Sequence, residues 1–294
     1  MLKTEKVNRT VESVISANES MSRYLRSLSK GRPETPHSWL YEYEASETTL
    51  KRWLKILNQQ GHSSLEKEFI QFDLKQVEKF GPQGKIPPFE SEEAQEVVEP
   101  LFSSSEYDDE ERLSEFFPAC EELGKKLFSQ TLRMRPRGFN AVVDDMRSRD
   151  TLTTNSGFPR FVRREKVRDK EIQDARTGIA YEYPAILLYR QYNGKLRPVW
   201  MYPMSMNLLE FSFTQEIQAA LRKSPLEWVR KYLSPWDGYD VVKETLTKQW
   251  PHPSPIVGGD TTKMDAHMRP AQMRLVYEIT KWLFQKQYWS ELKA

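Results

Sequence analysis

The sequence predicts an α+β fold, in which a mostly helical N-terminal half precedes a mixed region of helices and short strands. Apolar residues recur at helical spacing at Leu50, Trp53 and Leu57. Farther along the chain, two β-type segments flank an Asn-Gly pair within residues 183–202. That dipeptide is a strong hairpin signal because both turn positions need a positive φ. Helices first and a mixed region second are the basis for this fold class.

The first 80 residues are predicted to form helices separated by breakers. Apolar residues from Phe69 to Val77 continue the helical pattern, whereas the Gly- and Pro-containing segments 31–36 and 61–64 interrupt it. The acidic stretch 90–115, which contains three consecutive serines, is predicted to be an exposed linker or loop. A further helix is predicted from about residue 111 to Leu127.

The hairpin is predicted from Ala185–Tyr189 and Lys195–Tyr202. Pro198 lacks a backbone N–H, so the second strand is expected at the edge or end of a sheet. Residues 206–222 predict a buried helix, because apolar side chains gather on one side of it. A short strand over 255–260 should end at an acid, and a helix marked by apolar residues from 275 onward should run to the C-terminus.

Composition excludes several classes of protein. Hydrophobic residues make up 38% of the 294, enough for a core and too many for a wholly disordered chain. No apolar run approaches the ~20 residues of a membrane span, and the charged N-terminus has no secretory apolar core. The single cysteine, Cys120, excludes an internal disulfide and a cysteine-based zinc site, and the four histidines show no paired spacing. A reducing intracellular setting without a membrane partner is expected.

Charge is nearly balanced overall, at 44 basic against 42 acidic residues, but it is unevenly distributed. Residues 90–115 carry eleven acids and one base, whereas residues 131–170 carry eleven bases and five acids. Such asymmetry can indicate nucleic-acid binding. The alternative is two solvated faces with no binding role.

Two acids, Asp260 and Asp265, flank the end of the predicted strand and the turn after it. Magnesium prefers carboxylate oxygens and keeps several waters, and Gly258-Gly259 would allow other groups to approach. The pair therefore suggests a magnesium site. Acid pairs at this spacing are common, so a purely structural role is the alternative.

Two cationic segments suggest phosphate binding. The small, polar loop 153–159 is followed at once by a basic run that includes Arg163 and Arg164. Small residues allow a phosphate backbone to approach and arginines supply forked donors. In the hairpin, Lys195 and Arg197 share one strand face, with Arg190 on the opposite strand. The alternatives are a solvent-exposed basic turn and charges that protect an edge strand from aggregation.

Three motifs, in this order, resemble motifs G, F and A of viral RNA-dependent RNA polymerases. They are Thr154-Asn155-Ser156-Gly157-Phe158-Pro159, Lys195-Leu196-Arg197-Pro198-Val199-Trp200 and Gly259-Asp260-Thr261-Thr262-Lys263-Met264-Asp265. The runs Lys263–Met268 and Val199–Pro203 most resemble the picobirnavirus polymerases, with the partitivirus group next. The resemblance covers about 155–268. It implies right-hand polymerase fingers and the start of the palm, preceded by a mostly helical N-terminal region.

The resemblance also implies roles for single residues. Asp260 would bind the catalytic Mg²⁺, or Mn²⁺ in its place, beside the Thr261 carbonyl. Asp265 would sit near the incoming ribose and help to recognise its 2′-OH. The remaining implied roles are contacts with the nucleoside triphosphate (Arg190, Lys195 and Arg197) and with the template RNA (Ser156, Gly157, Pro159, Arg163 and Arg164).

The implied organisation has three parts: a helical extension and fingers over 1–130, fingers with the template loop and basic hairpin over 131–250, and the start of the palm over 251–294. A monomeric polymerase is implied, in the host cytoplasm or inside the virion of a double-stranded RNA virus. Its partners would be template RNA, nucleoside triphosphates and capsid protein.

The sequence departs from the polymerase pattern after Asp265, where 29 residues contain neither the Ser-Gly loop nor the Gly-Asp-Asp hairpin. Upstream, Asp144-Asp145 lacks the preceding glycine of a permuted site, and Asp108-Asp109 lies in the acidic stretch and is expected to be solvated. The expectation is therefore a truncated polymerase that is inactive alone. The alternative is a non-enzymatic RNA-binding or capsid-associated protein. A reverse transcriptase is disfavoured, because Asp265 stands where a bulky side chain that rejects the 2′-OH would be expected.

Overall fold

A computed structural model describes residues 9–32, 46–59, 62–77, 85–103, 108–128, 133–192, 195–232, 238–249, 259, 261 and 264–294. These residues are mostly helical, with one small sheet. The helices are α1 Arg9–Ala17, α2 Glu19–Lys30, α3 Ser46–Gln59, α4 Ser64–Val77, α5 Glu92–Phe102, α6 Glu110–Ser114, α7 Phe117–Phe128, α8 Phe139–Ser148, α9 Arg168–Thr177, α10 Met204–Arg222, α11 Glu227–Tyr232, α12 Tyr239–Gln249, α13 Met264–His267, α14 Pro270–Thr280 and α15 Trp289–Lys293. The strands are β1 Ile186–Tyr192 and β2 Lys195–Met201.

The chain divides into two compact units that are not contiguous in sequence. The first unit contains residues 1–102, 157–161 and 184–201, and the second contains 103–156, 162–183 and 202–294. The chain therefore passes between the units twice within the loop that follows α8. Each unit has its own hydrophobic core.

The core of the first unit joins α2, α5 and the hairpin through Leu28, Ala94, Val98 and Tyr189. Ala94 and Val98 are buried on α5, within the acidic stretch that was predicted to be an exposed linker or loop. That prediction is wrong for 92–102, because apolar residues spaced four apart give the acidic helix one face to bury. The acids occupy its other faces.

The β-hairpin forms as predicted. Strands β1 and β2 are antiparallel, and the register pairs Tyr189 with Pro198 and Arg190 with Arg197. Among the described residues no third strand joins them, so Pro198 lies in an edge strand, as its missing N–H requires. The Asn193-Gly194 turn lies outside the described residues.

The second unit has two apolar clusters that share α10. One cluster packs α8 and α9 against the start of α10, and the other packs the end of α7 and the segment 283–284 against its middle. The ring centroids of Phe213 and Phe284 lie 5.1 Å apart in an edge-to-face arrangement. The predicted buried helix over 206–222 is therefore correct, and it organises this unit.

Other predicted elements differ in detail. The helix predicted over 111–127 is interrupted between α6 and α7. The C-terminal helix ends at Thr280 and continues as short 3₁₀ turns, Lys281–Leu283 and Lys286–Tyr288, before α15. Most of the strand predicted over 255–260 lies outside the described residues. In the part of the chain that the structure describes, no helix has the length and apolar content that a membrane span requires.

Candidate RNA and nucleotide-binding elements

The loop over 154–164 is short, and backbone hydrogen bonds join its two stems. The Ser156 N–H donates to the Val162 carbonyl at 2.7 Å, and the Arg164 N–H donates to the Thr154 carbonyl at 3.0 Å. Near the tip, the Phe161 N–H donates to the Gly157 carbonyl at 2.7 Å, and the Phe158–Pro159 peptide bond is cis. Gly157 has φ +72°, a conformation that glycine adopts without steric cost. The loop therefore has a defined shape before any ligand binds.

The stems of this loop are attached to the N-terminus of α10. The Met204 N–H donates to the Ser156 carbonyl at 2.8 Å, which satisfies a donor that a helix start leaves unpaired. Arg164 donates from Nε to the Asn155 carbonyl at 3.2 Å and from Nη2 to Asn207 Oδ1 at 2.9 Å. Arg164 thus joins the loop to α10 directly.

A buried carboxylate supports the same junction. Glu171, on α9, is 0% exposed and accepts a hydrogen bond from the Ser205 N–H at 2.9 Å. A negative group is favourable at a helix N-terminus. Burial lowers the pKa of Arg164, while the charge of Glu171 acts in the opposite direction. Arg164 therefore holds the loop to α10, and Glu171 holds α9 to the same helix start. The sequence did not single out Glu171 or Asn207, because only their position in space gives them this role.

The predicted template residues differ in their exposure. Ser156 is 0% exposed, Gly157 is buried, and Pro159 is partly buried. In the first unit, the Arg160 carbonyl at the tip accepts from Asn18 Nδ2 at 2.9 Å. Arg163 and Thr154 are exposed on the stem, and Lys166 is exposed just beyond it. Of the two adjacent arginines, Arg163 faces solvent and Arg164 faces the protein.

The hairpin carries three exposed cations on one face. Arg190 lies directly opposite Arg197 in the register, and Lys195 lies two residues from Arg197 on the same strand. An anion that contacts both guanidinium groups would gain charge-assisted hydrogen bonds from each of them. The expectation that Lys195 and Arg197 share a strand face is confirmed.

The other face of the hairpin is anchored in the core of the first unit. Tyr189 is buried there, with its hydroxyl 3.5 Å from the Ala94 carbonyl of α5. Burial raises the pKa of Tyr189 to about 12. Leu187 and Leu196 pack in the same cluster. The cationic face is thus fixed by a rigid apolar face behind it.

The acidic pair can be placed only in part. Asp260 lies outside the described residues, and Thr261 is exposed. Asp265 belongs to the short helix α13, but the structure does not describe its side chain. Among the described residues no group of three or more His, Cys, Asp or Glu side chains could hold a metal ion. The metal site stays a prediction. The loop stems and Asp265 belong to the second unit and the hairpin to the first.

Comparisons with known proteins bear on the resemblance. No protein-family model matches the chain. A potential RNA-dependent RNA polymerase of human picobirnavirus (strain Human/Thailand/Hy005102/-) is 23% identical over 286 residues, which cover 89% of this chain and 50% of the relative. The crystal structure of the RNA-dependent RNA polymerase of a human picobirnavirus matches with a TM-score of 0.66 at 18% identity, covering 98% of this chain and 56% of that one. The resemblance to the picobirnavirus polymerases is confirmed, and the chain has their fold. It spans about half the length of these relatives.

Proposed function

We propose that this chain forms the fingers and the start of the palm of an RNA-dependent RNA polymerase. The observation that carries the proposal is the cationic face of the hairpin, in a chain whose fold matches that of a picobirnavirus polymerase. In this proposal residues 1–130 are the helical extension and fingers, 131–250 are fingers with the template loop and hairpin, and 251–294 begin the palm.

The hairpin binds the triphosphate of the incoming nucleotide. Arg197 and Arg190 present two guanidinium groups side by side, and guanidinium forks match phosphate oxygens in pairs. Lys195 adds a third charge on that face. Cations held over the phosphates stabilise the charge that develops during phosphoryl transfer. A rigid sheet suits this task because the cations need no rearrangement when the nucleotide arrives.

The loop guides the template strand, with two kinds of contribution. Arg163 is exposed and contacts template phosphates. Ser156, Gly157 and Arg164 fix the shape of the loop from within, since they are buried or bonded to the protein. Pro159, at the cis peptide bond of the tip, belongs to the surface past which the strand runs.

The metal chemistry is assigned to the segment after α12. Asp260, with the Thr261 carbonyl, would hold Mg²⁺, or Mn²⁺ in its place, because hard cations prefer such oxygen donors. When bound, the ion supplies charge stabilisation to the reacting phosphate. Asp265 accepts a hydrogen bond from the ribose 2′-OH. The printed sequence has no Gly-Asp-Asp pair, so we expect the 294-residue chain alone to bind RNA and nucleotides without joining them.

The biological setting follows from the same proposal. The chain would act within a monomeric polymerase of a double-stranded RNA virus, in the host cytoplasm or inside the virion. Capsid protein would be its partner there, and template RNA and nucleoside triphosphates its substrates.

Nucleotide binding by the 294-residue chain tests the proposal. Titration of a fluorescent ribonucleoside triphosphate with Mg²⁺ should give a dissociation constant that rises about tenfold or more when Arg190 and Arg197 are both changed to Gln, because each charged contact contributes at least ~1 kcal/mol. Arg176→Gln, an exposed arginine of α9, is the matched control and should change nothing. The dissociation constant of the nucleoside monophosphate should change much less in this double variant, since the monophosphate lacks the outer phosphates that the two arginines contact.

Asp260→Ala separates the polymerase from a non-enzymatic RNA-binding protein. In the polymerase it should abolish the Mg²⁺ dependence of triphosphate binding and leave RNA binding nearly intact. A chain that binds RNA but shows no triphosphate affinity, with Asp260→Ala neutral, would instead be the RNA-binding or capsid-associated protein.

A further inference from the structure

The second unit carries a group of cations packed against aromatic rings, on α7, α14 and the segments next to them. Its members are Lys125, Arg133, Arg274, Lys281 and Lys286, and we call them the cation belt. None of them belongs to the template loop, the hairpin or the acidic pair. We propose that the cation belt is a second RNA-binding surface, which takes the phosphate backbone of a strand without selecting its bases.

Three cations converge on one ring. Lys125 Nζ lies 4.6 Å from the ring centroid of Trp282, the Arg133 guanidinium carbon lies 5.4 Å from it, and Lys281 Nζ lies 5.7 Å from it. The neighbouring ring of Trp289 has Lys281 at 5.2 Å and Lys286 at 5.9 Å. Each contact gains some cation–π energy, but so many like charges in one place also repel one another.

The backbone holds this arrangement in place. Gly124 of α7 lies against α14, and a Cβ at that position would stand 2.6 Å from Trp282 Cδ1, so only glycine lets α7 approach this closely. Met134 pairs with the segment at Phe284, with its N–H donating to the Leu283 carbonyl at 2.8 Å, which fixes Arg133 beside Trp282. The two tryptophan rings meet at 5.4 Å. The cations are therefore positioned before any ligand arrives.

Carboxylates neutralise only part of the belt. Glu121 pairs with Lys125 at 2.5 Å, and the buried Glu278 pairs with Arg274 at 2.8 Å and with Lys281. Among the described residues, neither Arg133 nor Lys286 pairs with a carboxylate, and both are exposed. Arg133 and Lys286 therefore present positive charge to solvent that no carboxylate of the described residues pairs with. A polyanion would satisfy it.

The aromatic rings decide which part of RNA binds. Bases stack on free aromatic faces, but here the faces of Trp282 and Trp289 have cations over them. Phosphates need only accessible positive charge, which makes such contacts independent of sequence. Taking RNA as the polyanion rests on the proposed function, whereas the location of the surface does not.

The salt dependence of RNA binding tests the inference. The 294-residue chain is titrated with fluorescein-labelled oligo(U) and oligo(A) of about 20 nucleotides, between about 50 and 300 mM KCl. Lys125→Gln, Arg133→Gln and Lys286→Gln should each reduce the log–log salt slope by about 0.7, and the triple variant by about 2, equally for both RNAs. Lys243→Gln, an exposed lysine of α12, is the matched control and should keep the wild-type slope. Lys281 is left intact because its side chain is only 12% exposed and pairs with Glu278.

A second measurement uses the unaltered protein, in case the triple variant does not fold. Lysine acetylation with and without oligo(U) should show protection of Lys125 and Lys286 and none of Lys243. Equal acetylation with and without RNA, or a triple variant with the wild-type slope, overturns the inference. So does an acidic polypeptide such as poly-glutamate that binds the belt more tightly than RNA, since the partner is then a protein.

Failure of the belt and failure of the proposed function can be told apart. If Arg163→Gln lowers the salt slope of RNA binding and the belt variants do not, the proposal for the cation belt is wrong and the proposed function is unaffected. If the belt variants lower the salt slope while the hairpin variants leave triphosphate binding unchanged, the cation belt is an RNA-binding surface and the polymerase proposal is wrong.

Discussion

The adjacent residues Arg163 and Arg164 should behave in opposite ways when each is changed to Ala. Arg164 makes two hydrogen bonds with its guanidinium group, at 3.2 Å to Asn155 and 2.9 Å to Asn207. Hydrogen bonds to charged groups contribute about 1.5–3 kcal/mol each, and the recovered desolvation of this partly buried cation offsets part of that gain. Glu171 also loses a nearby positive charge. We therefore expect Arg164→Ala to destabilise the junction of loop and α10 by about 2–4 kcal/mol.

Arg163→Ala removes an exposed side chain and should change the free energy of unfolding by less than about 0.5 kcal/mol. Its effect should appear in RNA binding, as a salt slope reduced by about 0.7. Arg164→Ala should instead weaken RNA binding with little change of slope, because the loop loses its shape without losing a phosphate contact.

Hydrogen exchange followed by mass spectrometry is the suitable assay, because it reports on the junction of loop and α10 separately from the rest of the chain. Amides of Ser156, Met204 and Ser205 should exchange faster in Arg164→Ala and at the wild-type rate in Arg163→Ala. Equal exchange in the two variants, or equal changes of salt slope, would refute the division of roles between these arginines.

Three further changes have defined outcomes. Burial raises the pKa of Tyr189 to about 12, so its contribution to the free energy of unfolding is complete below pH 10 and is lost as the pH rises toward 12. Tyr189→Phe should remove this loss of stability between pH 10 and about 12. Chemical denaturation across that range measures this, and an unchanged pH profile in the variant would contradict it. Gly124→Ala should lower the thermal midpoint, at a cost of about 1–3 kcal/mol, because the added Cβ meets Trp282 and the backbone of Ile279. Glu171→Ala should lower the free energy of unfolding by about 2–4 kcal/mol. Glu171→Gln should lower it by less, because the amide oxygen can still accept a hydrogen bond from the Ser205 N–H. Equal losses for the two variants in urea titrations would exclude this explanation.

The hairpin was predictable because its information is local. An Asn-Gly pair between two β-type runs specifies turn and register together, and the register then places the cations. The observed pairing places Arg190 directly opposite Arg197. The buried helix α10 was predictable for a similar reason, since its apolar spacing persists over several turns.

The acidic stretch shows where local information fails. Its acids dominate composition over 90–115, yet Ala94 and Val98 are buried against Leu28 and Tyr189, which are distant in sequence. A helix can bury one face while its remaining faces are strongly charged, so net charge says little about whether a segment is ordered. The sites that rest on Asp260 were inferred from an acid pair and a motif, and they stay predictions.

The loop over 154–164 shows why a motif does not by itself assign roles to single residues. Ser156, Arg163 and Arg164 stand in one short run, and any of them could face RNA on chemical grounds. The stem pairing makes the difference: it presents Arg163 to solvent and turns Arg164 toward Asn207. Helix α10 starts 40 residues after Arg164 in the chain. No local sequence pattern therefore reveals that its N-terminal residues form hydrogen bonds with Ser156 and Arg164. A run of basic residues next to a small, polar loop should therefore be divided into residues that bind the ligand and residues that shape the loop, and the identity of the helix behind the loop decides the division.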